Sequence, residues 1–275
     1  MDQLKQYFRY PGPLSGFSLH NHSTWSDGGA SAEAMCRAAK AAGIRVFGLS
    51  DHYVIHPEAS LMPVSWSIDP AKVKDYCAEL ERLKKELNDE NFTLYTGFEV
   101  DFFFENSEEV LSELEKYPLD YLIGSVHYSG TFPIDGSEAD WKPLSQDQIE
   151  EICRIYWEKI LGAAQCGRYT FLGHLDLPKK FGFLPDGEKY LPQAKQVLDA
   201  AAANGIGIEL NTAGWVNPCS EQYTSLPMLR ESNRRKIPVI VNPDAHCPEH
   251  VTRGFSEAGN LLRQAGYPSV PDTGK

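Results

Sequence analysis

Seven short apolar runs punctuate this 275-residue chain, and each is followed by a loop. They are Phe17–Leu19, Arg45–Leu49, Thr93–Phe98, Tyr121–Val126, Thr170–Leu172, Ile206–Leu210 and Val239–Val241. Runs this short and this apolar read as strands. Helical patterns lie between them. Ser31 caps one that ends at Gly43. Asp69-Pro70 is an N-cap followed by a proline in the first turn, ahead of Val73, Tyr76, Cys77, Leu80, Leu83 and Leu87 at helical spacing. Ser145 with Gln148 forms a capping box ahead of Ile149, Ile152, Cys153 and Tyr156. Leu191–Ala203 stops at Asn204-Gly205, and the stripe Phe255, Ala258, Leu261, Leu262, Ala265 stops at Gly266. Strand, loop and helix in alternation specify an α/β fold with a parallel sheet.

The connections are lopsided. Helix returns to strand through short links, such as Gly43-Ile44 and Lys236-Ile237, whereas strand leads to helix through Tyr53–Asp69, Tyr128–Leu144, Leu175–Tyr190 and Thr212–Tyr223. Long loops after the strands build the active face of an α/β barrel. A doubly wound sheet also places its site at strand ends, so the asymmetry alone leaves both architectures open. No linker or repeat divides the chain. We expect one domain over 1–275, with its core at about 15–267 and a short tail at 268–275.

Charge and composition narrow the partners. The net charge of −12 repels a phosphate backbone, so no long nucleic acid is expected. No apolar run approaches the roughly 18–20 residues that span a bilayer, and the N-terminal stretch carries no apolar signal segment; a cytoplasmic protein without a membrane partner is expected. The six cysteines form no C-x-x-C pair and read as ordinary buried thiols.

The chemistry stands at the strand ends. The first run ends in His20-Asn21-His22, the second in Asp51-His52, and the third in Glu99, with Asp101 beside it. The fourth ends in His127, the fifth in His174 and the sixth in Asn211; Asp244-Ala245-His246 follows the seventh. Six of the eight histidines fall at these places. A single histidine in such a loop is ordinarily a surface or capping residue. Delivered by one strand end after another, imidazoles and carboxylates converge on one mouth, and these donors suit zinc, manganese or iron. They outnumber the ligands of one ion. His20 and His22, two apart on a strand, point the same way. His56 and His250 lie off the pattern and read as solvated. Cys247 is declined as a ligand, and Asp51 reads as a partner of its neighbour rather than as a ligand.

These residues resemble the PHP (polymerase and histidinol phosphatase) family of metal phosphoesterases. The matching motifs, in family order, are His20-Asn21-His22, Ser26-Asp27-Gly28, Ser50-Asp51-His52, Gly97-Phe98-Glu99, Gly124-Ser125-Val126-His127-Tyr128, Gly173-His174 and Asp244-Ala245-His246. The resemblance implies a distorted seven-stranded (β/α)7 barrel with two to three divalent ions (Zn, Mn or Fe). His20, His22, Glu99 and Asp244 would hold one ion. Glu99 would bridge to a second held by His127 and His174. Asp27, His52 and His246 would hold a third. Glu99, Asp244 and His246 are the ligands expected to act in catalysis.

The stretches around Gly124–Tyr128, Gly173–Leu177, Glu209–Gly214 and His246–Arg253 resemble the histidinol-phosphatase branch in particular. The implied reaction is hydrolysis of a small phosphorylated substrate, L-histidinol phosphate. Arg253, with Lys179 or Lys180, is the expected phosphate clamp. Trp215, with Trp66, Tyr128, Trp141 and Phe181, is a candidate wall for the leaving group. Where the branch often carries basic residues after Gly214, this chain has Trp215-Val216-Asn217. Three other readings compete: a phosphoesterase for nucleotides, favoured if Trp215 stacks a base; a non-catalytic PHP interaction module, which should lack ligands; and an amidohydrolase, for which no bridging lysine stands at a strand end.

Overall fold

The computed structural model describes residues 2–9, 12–14, 16–58, 64–184 and 188–268. The tail expected at 268–275 lies outside these residues except for Pro268, as do parts of two long loops.

All seven expected strands are present: β1 Phe17–Ser18, β2 Val46–Leu49, β3 Thr93–Asp101, β4 Tyr121–Ser125, β5 Phe171–Leu172, β6 Gly207–Asn211 and β7 Val239–Asn242. They pair in parallel and in sequence order from β1 to β7. A doubly wound sheet reverses its strand order, and this one does not. The ring nearly closes. Pro13–Leu14 pairs in parallel with Val239 and Ile240 just before the chain enters β1. At the other end Asn21 bridges Ala245, with the His22 amide donating to the Ala245 carbonyl at 2.9 Å. The architecture is thus the distorted seven-stranded barrel.

Among the described residues, one helix of eight or more residues follows each strand: α1 Ala32–Ala41, α2 Val73–Leu87, α3 Ser107–Leu114, α4 Gln146–Cys166, α5 Leu191–Asn204, α6 Leu226–Arg234 and α7 Phe255–Gln264. The caps are those the sequence announces. Ser31 accepts from the Ala34 amide, and Ser145 and Gln148 cap reciprocally. Gly205, at φ 66°, ends α5. Helices α3 and α6 were not anticipated. They are eight and nine residues long, too short for periodicity to stand out. None of the helices among the described residues is long and apolar enough to cross a membrane.

Two apolar clusters make up most of the core among the described residues. The larger lies between sheet and helices and includes Cys36, Tyr76, Leu80, Trp157, Leu198 and Leu229. The smaller fills the barrel itself with Leu4, Phe8, Leu19, Tyr121, Ile123, Phe171 and Ile240. Phe8 stacks on Phe171 at 5.6 Å between centroids, plugging the end where the strands begin. Tyr121 crosses the interior above it and donates to the Leu19 carbonyl at 2.6 Å. Gly48 and Gly97 are glycine for that reason, since a Cβ at either would overlap the Tyr121 ring. With the base filled, the opening is at the strand C-termini.

Candidate metal centre

Strand geometry aims the ligands. His20 and His22 both point inward and are fully buried. Asn21, between them, turns outward and donates to the carbonyls of Ser18 and Gly48. Strand β2 breaks at Ser50-Asp51 and resumes as His52–Tyr53, which sets His52 opposite Glu99. Glu99 and Asp101 share one face of β3. Asp244 occupies the left-handed region, at φ 50°, as the chain leaves β7.

Glu99 is the centre of the arrangement. Its Oε1 stands 2.7 Å from His174 Nε2 and 3.5 Å from His127 Nε2. Its Oε2 stands 2.9 Å from His52 Nδ1, 3.0 Å from His20 Nε2 and 3.6 Å from His22 Nε2. Asp244 Oδ1 lies 3.1 Å from His22 Nε2 and 3.6 Å from His20 Nε2. At the rim, Asp27 faces His246 Nε2 at 3.3 Å, His52 Nε2 at 3.7 Å and His22 Nδ1 at 3.9 Å. All nine anticipated ligands therefore meet in one cluster. The grouping differs from the expected sets: His174 groups with His20 and Glu99, His127 with His52 and Glu99, and His22 joins Asp27, His52 and His246 at the rim.

A ring of outer groups fixes the imidazoles, and sequence reasoning missed its chief member. Glu209 accepts from His20 Nδ1 at 2.8 Å, from Asn242 at 2.8 Å, from Asn211 at 3.1 Å and from the His174 amide at 2.7 Å. The available signal was a glutamate inside a buried apolar run. Asp101 holds His127 in the same way, through Nδ1 and the backbone amide. Each contact leaves the opposite ring nitrogen, Nε2, facing Glu99. Asp51 is indeed an outer group, but it serves the loop that carries Asp27: it accepts from the amides and hydroxyls of Ser23 and Ser26.

The electrostatics show what the cluster lacks. Burial opposes charge on His20, yet Glu209, Glu99 and Asp244 outweigh it and hold its pKa well above the ordinary value. Burial likewise opposes charge on His127, and Asp101 and Glu99 override it, raising the pKa to about 10. His246 is raised to about 9 against its burial by Asp27 and Asp244. His22 goes the other way, to about 3, because burial and the neighbouring His52 and His246 disfavour its charge. Glu99 and Asp244 stay well below the carboxylate range despite burial, held there by surrounding imidazoles. Such a cluster draws cations to itself.

The residues fit divalent ions. His20 Nε2, both nitrogens of His22, His52 Nδ1, Glu99 Oε2 and Asp244 Oδ1 are buried without a hydrogen bond, although several face one another near 3 Å. These polar atoms thus crowd together at the strand ends without hydrogen-bond partners. Leaving each such group unsatisfied costs about 1–3 kcal/mol, which metal coordination would offset. Among the described residues, four overlapping groups of three or four residues bring their donor atoms within metal-binding reach of one another.

A cavity of about 540 Å³ opens above the cluster, a size suited to a small ligand. Arg253 lines it, half-buried, with its guanidinium donating to the Pro243 carbonyl and lying 3.3 Å from His250 Nδ1. Lys180 lines it too, as do Trp66 and Val216. Expectations for six residues need correction. Lys179 is not at the cavity: it is buried, donating to Asp176 and to the Gln222 carbonyl, with Glu221 at 3.0 Å. Trp215 lies beside the cavity rather than in its wall, packed over Gly254 with its indole bonded to Gln222. Trp141 is core, fully buried and bonded to the Ile134 carbonyl, and Phe181 packs on the core as well. His56 is buried, accepting from the Glu58 amide and donating to the Gly130 carbonyl. His250, also read as solvated, is half-buried in the cavity wall. Tyr128 stacks behind Trp66 at 6.1 Å.

A sequential barrel whose strand ends deliver buried imidazoles and carboxylates to one cavity defines a metal-binding α/β barrel protein. Residues 18–213 match the family model described as PHP domain, so the chain belongs to the PHP domain family. A relative from Deinococcus radiodurans, described as "Probable histidinol-phosphatase", is 32% identical over 85% of this chain and 87% of its own. The histidinol-phosphatase of Bacillus subtilis is 30% identical over 69% of this chain and 80% of its own. The crystal structure of histidinol phosphate phosphatase from Lactococcus lactis, complexed with Zn, L-histidinol and phosphate, superposes with a TM-score of 0.77. It is 23% identical and covers 92% of this chain and 94% of its own, a likeness that shows the fold.

Proposed function

We propose that this PHP protein is a metal-dependent phosphomonoester hydrolase acting on L-histidinol phosphate. The carrying observation is Glu99, fully buried, with two carboxylate oxygens that face two different sets of imidazoles beneath a ligand-sized cavity. The two relatives described as histidinol-phosphatases support the choice of substrate. The nucleotide reading leaned on Trp215 as a stacking floor, and Trp215 is outside the cavity wall. The interaction-module reading expected missing ligands, and every position is filled.

His20, His22, Asp244 and Glu99 would hold one ion, Glu99 with His127 and His174 a second, and Asp27, His52 and His246 a third. When bound, divalent ions neutralise phosphate charge and lower the pKa of water to about 7. The chain's own work is orientation. Glu209 and Asp101 fix the His20 and His127 rings with Nε2 forward. Arg253 adds a fixed positive charge beside Asp244 and His246, and its Nε carries no hydrogen bond. Guanidinium geometry suits a phosphate dianion. Trp66, Leu177 and Tyr223 give the cavity an apolar wall that limits water around the ester.

Arg253→Ala should raise KM for phosphate esters roughly ten- to a hundredfold, the value of a charge-assisted hydrogen bond at about 1.5–3 kcal/mol, and leave metal content unchanged. Loss of metal in this variant would make Arg253 a support for the Asp244 turn instead. The proposal as a whole is tested by phosphate release from histidinol phosphate after metal loading; absence of turnover would overturn it.

A further inference from the structure

Three carboxylates line the cavity among the described residues: Asp27, Asp135 and Asp244. Asp27 and Asp244 face the imidazoles of the metal centre. Asp135 does not. Its Oδ2 stands 3.6 Å from Lys180 Nζ, beyond hydrogen-bond reach, while that ammonium donates to the Asp135 backbone carbonyl at 3.0 Å. Asp135 is therefore ion-paired to Lys180 without a direct hydrogen bond, and its carboxylate keeps lone pairs that can accept from a second cation.

Asp135 is also held in place. The preceding Ile134 is fully buried, its amide donates to the His127 carbonyl at 2.8 Å, and its own carbonyl receives the Trp141 indole at 3.0 Å. The short antiparallel pair Tyr128–Ser129 with Phe132–Pro133 fixes the rest of the turn. Asp135 follows β4 and Arg253 follows β7. In a ring of seven strands those loops stand across the mouth from each other. The cavity thus presents a guanidinium on one side, the Asp135 carboxylate with its Lys180 partner on the other, and the candidate metal ligands between them. The Trp66 indole, 5.5 Å from the His127 ring, adds an aromatic face to the wall.

We infer that Asp135 is a specificity-determining residue that receives the ammonium group of an amino-alcohol leaving group, an assignment that rests on the phosphomonoester reading above. An ester carrying a phosphate dianion and a nearby ammonium matches both ends of this cavity. The ester of a neutral alcohol partly desolvates Asp135 and supplies no donor to its open lone pairs, which disfavours its binding.

The test compares histidinol phosphate with the same ester lacking the amino group, using metal-loaded native protein and Asp135→Asn. The native protein should favour the amine-bearing ester in kcat/KM by roughly ten- to a hundredfold, the range of one charge-assisted hydrogen bond. In Asp135→Asn that ratio should fall toward one, chiefly through KM of the amine-bearing ester, with metal content and Tm close to native. A native ratio near one overturns the assignment, and so does a ratio that survives the substitution, including a variant that loses both esters equally. Failure of the parent reading looks different: the native protein would turn over neither ester.

Discussion

Glu99→Ala is expected to lower kcat by about a thousandfold or more and to reduce the metal content. Removal of a single preorganised charge-stabilising group costs about a hundred- to a thousandfold in other active sites, and Glu99 serves two sets of ligands at once. The side chain has no solvent-exposed surface, and five imidazole nitrogens approach it within 3.6 Å. Asp27 is the natural control. It is partly exposed at the rim and belongs to one donor group. Asp27→Ala should therefore cost far less at saturating metal. Elemental analysis together with kcat for both variants checks the claim, and equal losses would argue against a bridging role for Glu99.

Removing the ions from the native protein should have the second large effect, on both turnover and stability. In the metal-free protein the raised His127 and His246 carry protons at neutral pH. Their folded pKa values, about 10 and about 9, exceed the ordinary 6.5. The stabilisation they give is fully present below pH 6.5 and is lost as pH rises through 9 to 10. His22, lowered to about 3, acts oppositely: its contribution is present above pH 6.5 and is lost as pH falls toward 3. The metal-free protein should thus lose Tm on the alkaline side, from about pH 7 upward. The loaded protein should resist that loss, because ions replace protons on the same nitrogens. An ion present at about a hundred times its Kd adds about 2.7 kcal/mol, or roughly 5–10 °C for a chain of this size. Thermal melts with and without metal, at neutral and alkaline pH, measure this. A metal-free Tm that is flat across the range, or unmoved by reconstitution, would contradict the charge balance drawn for the cluster.

Much of this site was legible because strand geometry is simple. Alternation in His20-Asn21-His22 places two imidazoles on one face, and parallel pairing brings each strand end to the same mouth. What the sequence hid depends on neighbours far along the chain. Glu209 and Asn242 sit inside apolar runs, and only their meeting across β6 and β7 reveals that they orient His20. Lys179 and Lys180 are adjacent but diverge because Leu177–Lys179 is a tight 3-10 turn, so one lysine enters the Asp176 network and the other the cavity. Trp215 lies on a similar turn, Thr212–Val216, and packs over Gly254. His56 looked like a loop histidine, yet Phe103 and Tyr128 cover it at 5.0 Å between ring centroids. Asp135 carried no motif, and its position follows only from how Ile134 is anchored to His127.

The central claim is the choice of substrate, and competition between esters tests it most directly. Metal-loaded protein should hydrolyse histidinol phosphate with a kcat/KM at least about tenfold above that for nucleoside monophosphates, a preference of about 1.4 kcal/mol. The ammonium that Asp135 is inferred to receive is present on histidinol phosphate and absent from nucleoside monophosphates. A nucleotide that outperforms histidinol phosphate under the same metal conditions would contradict the account.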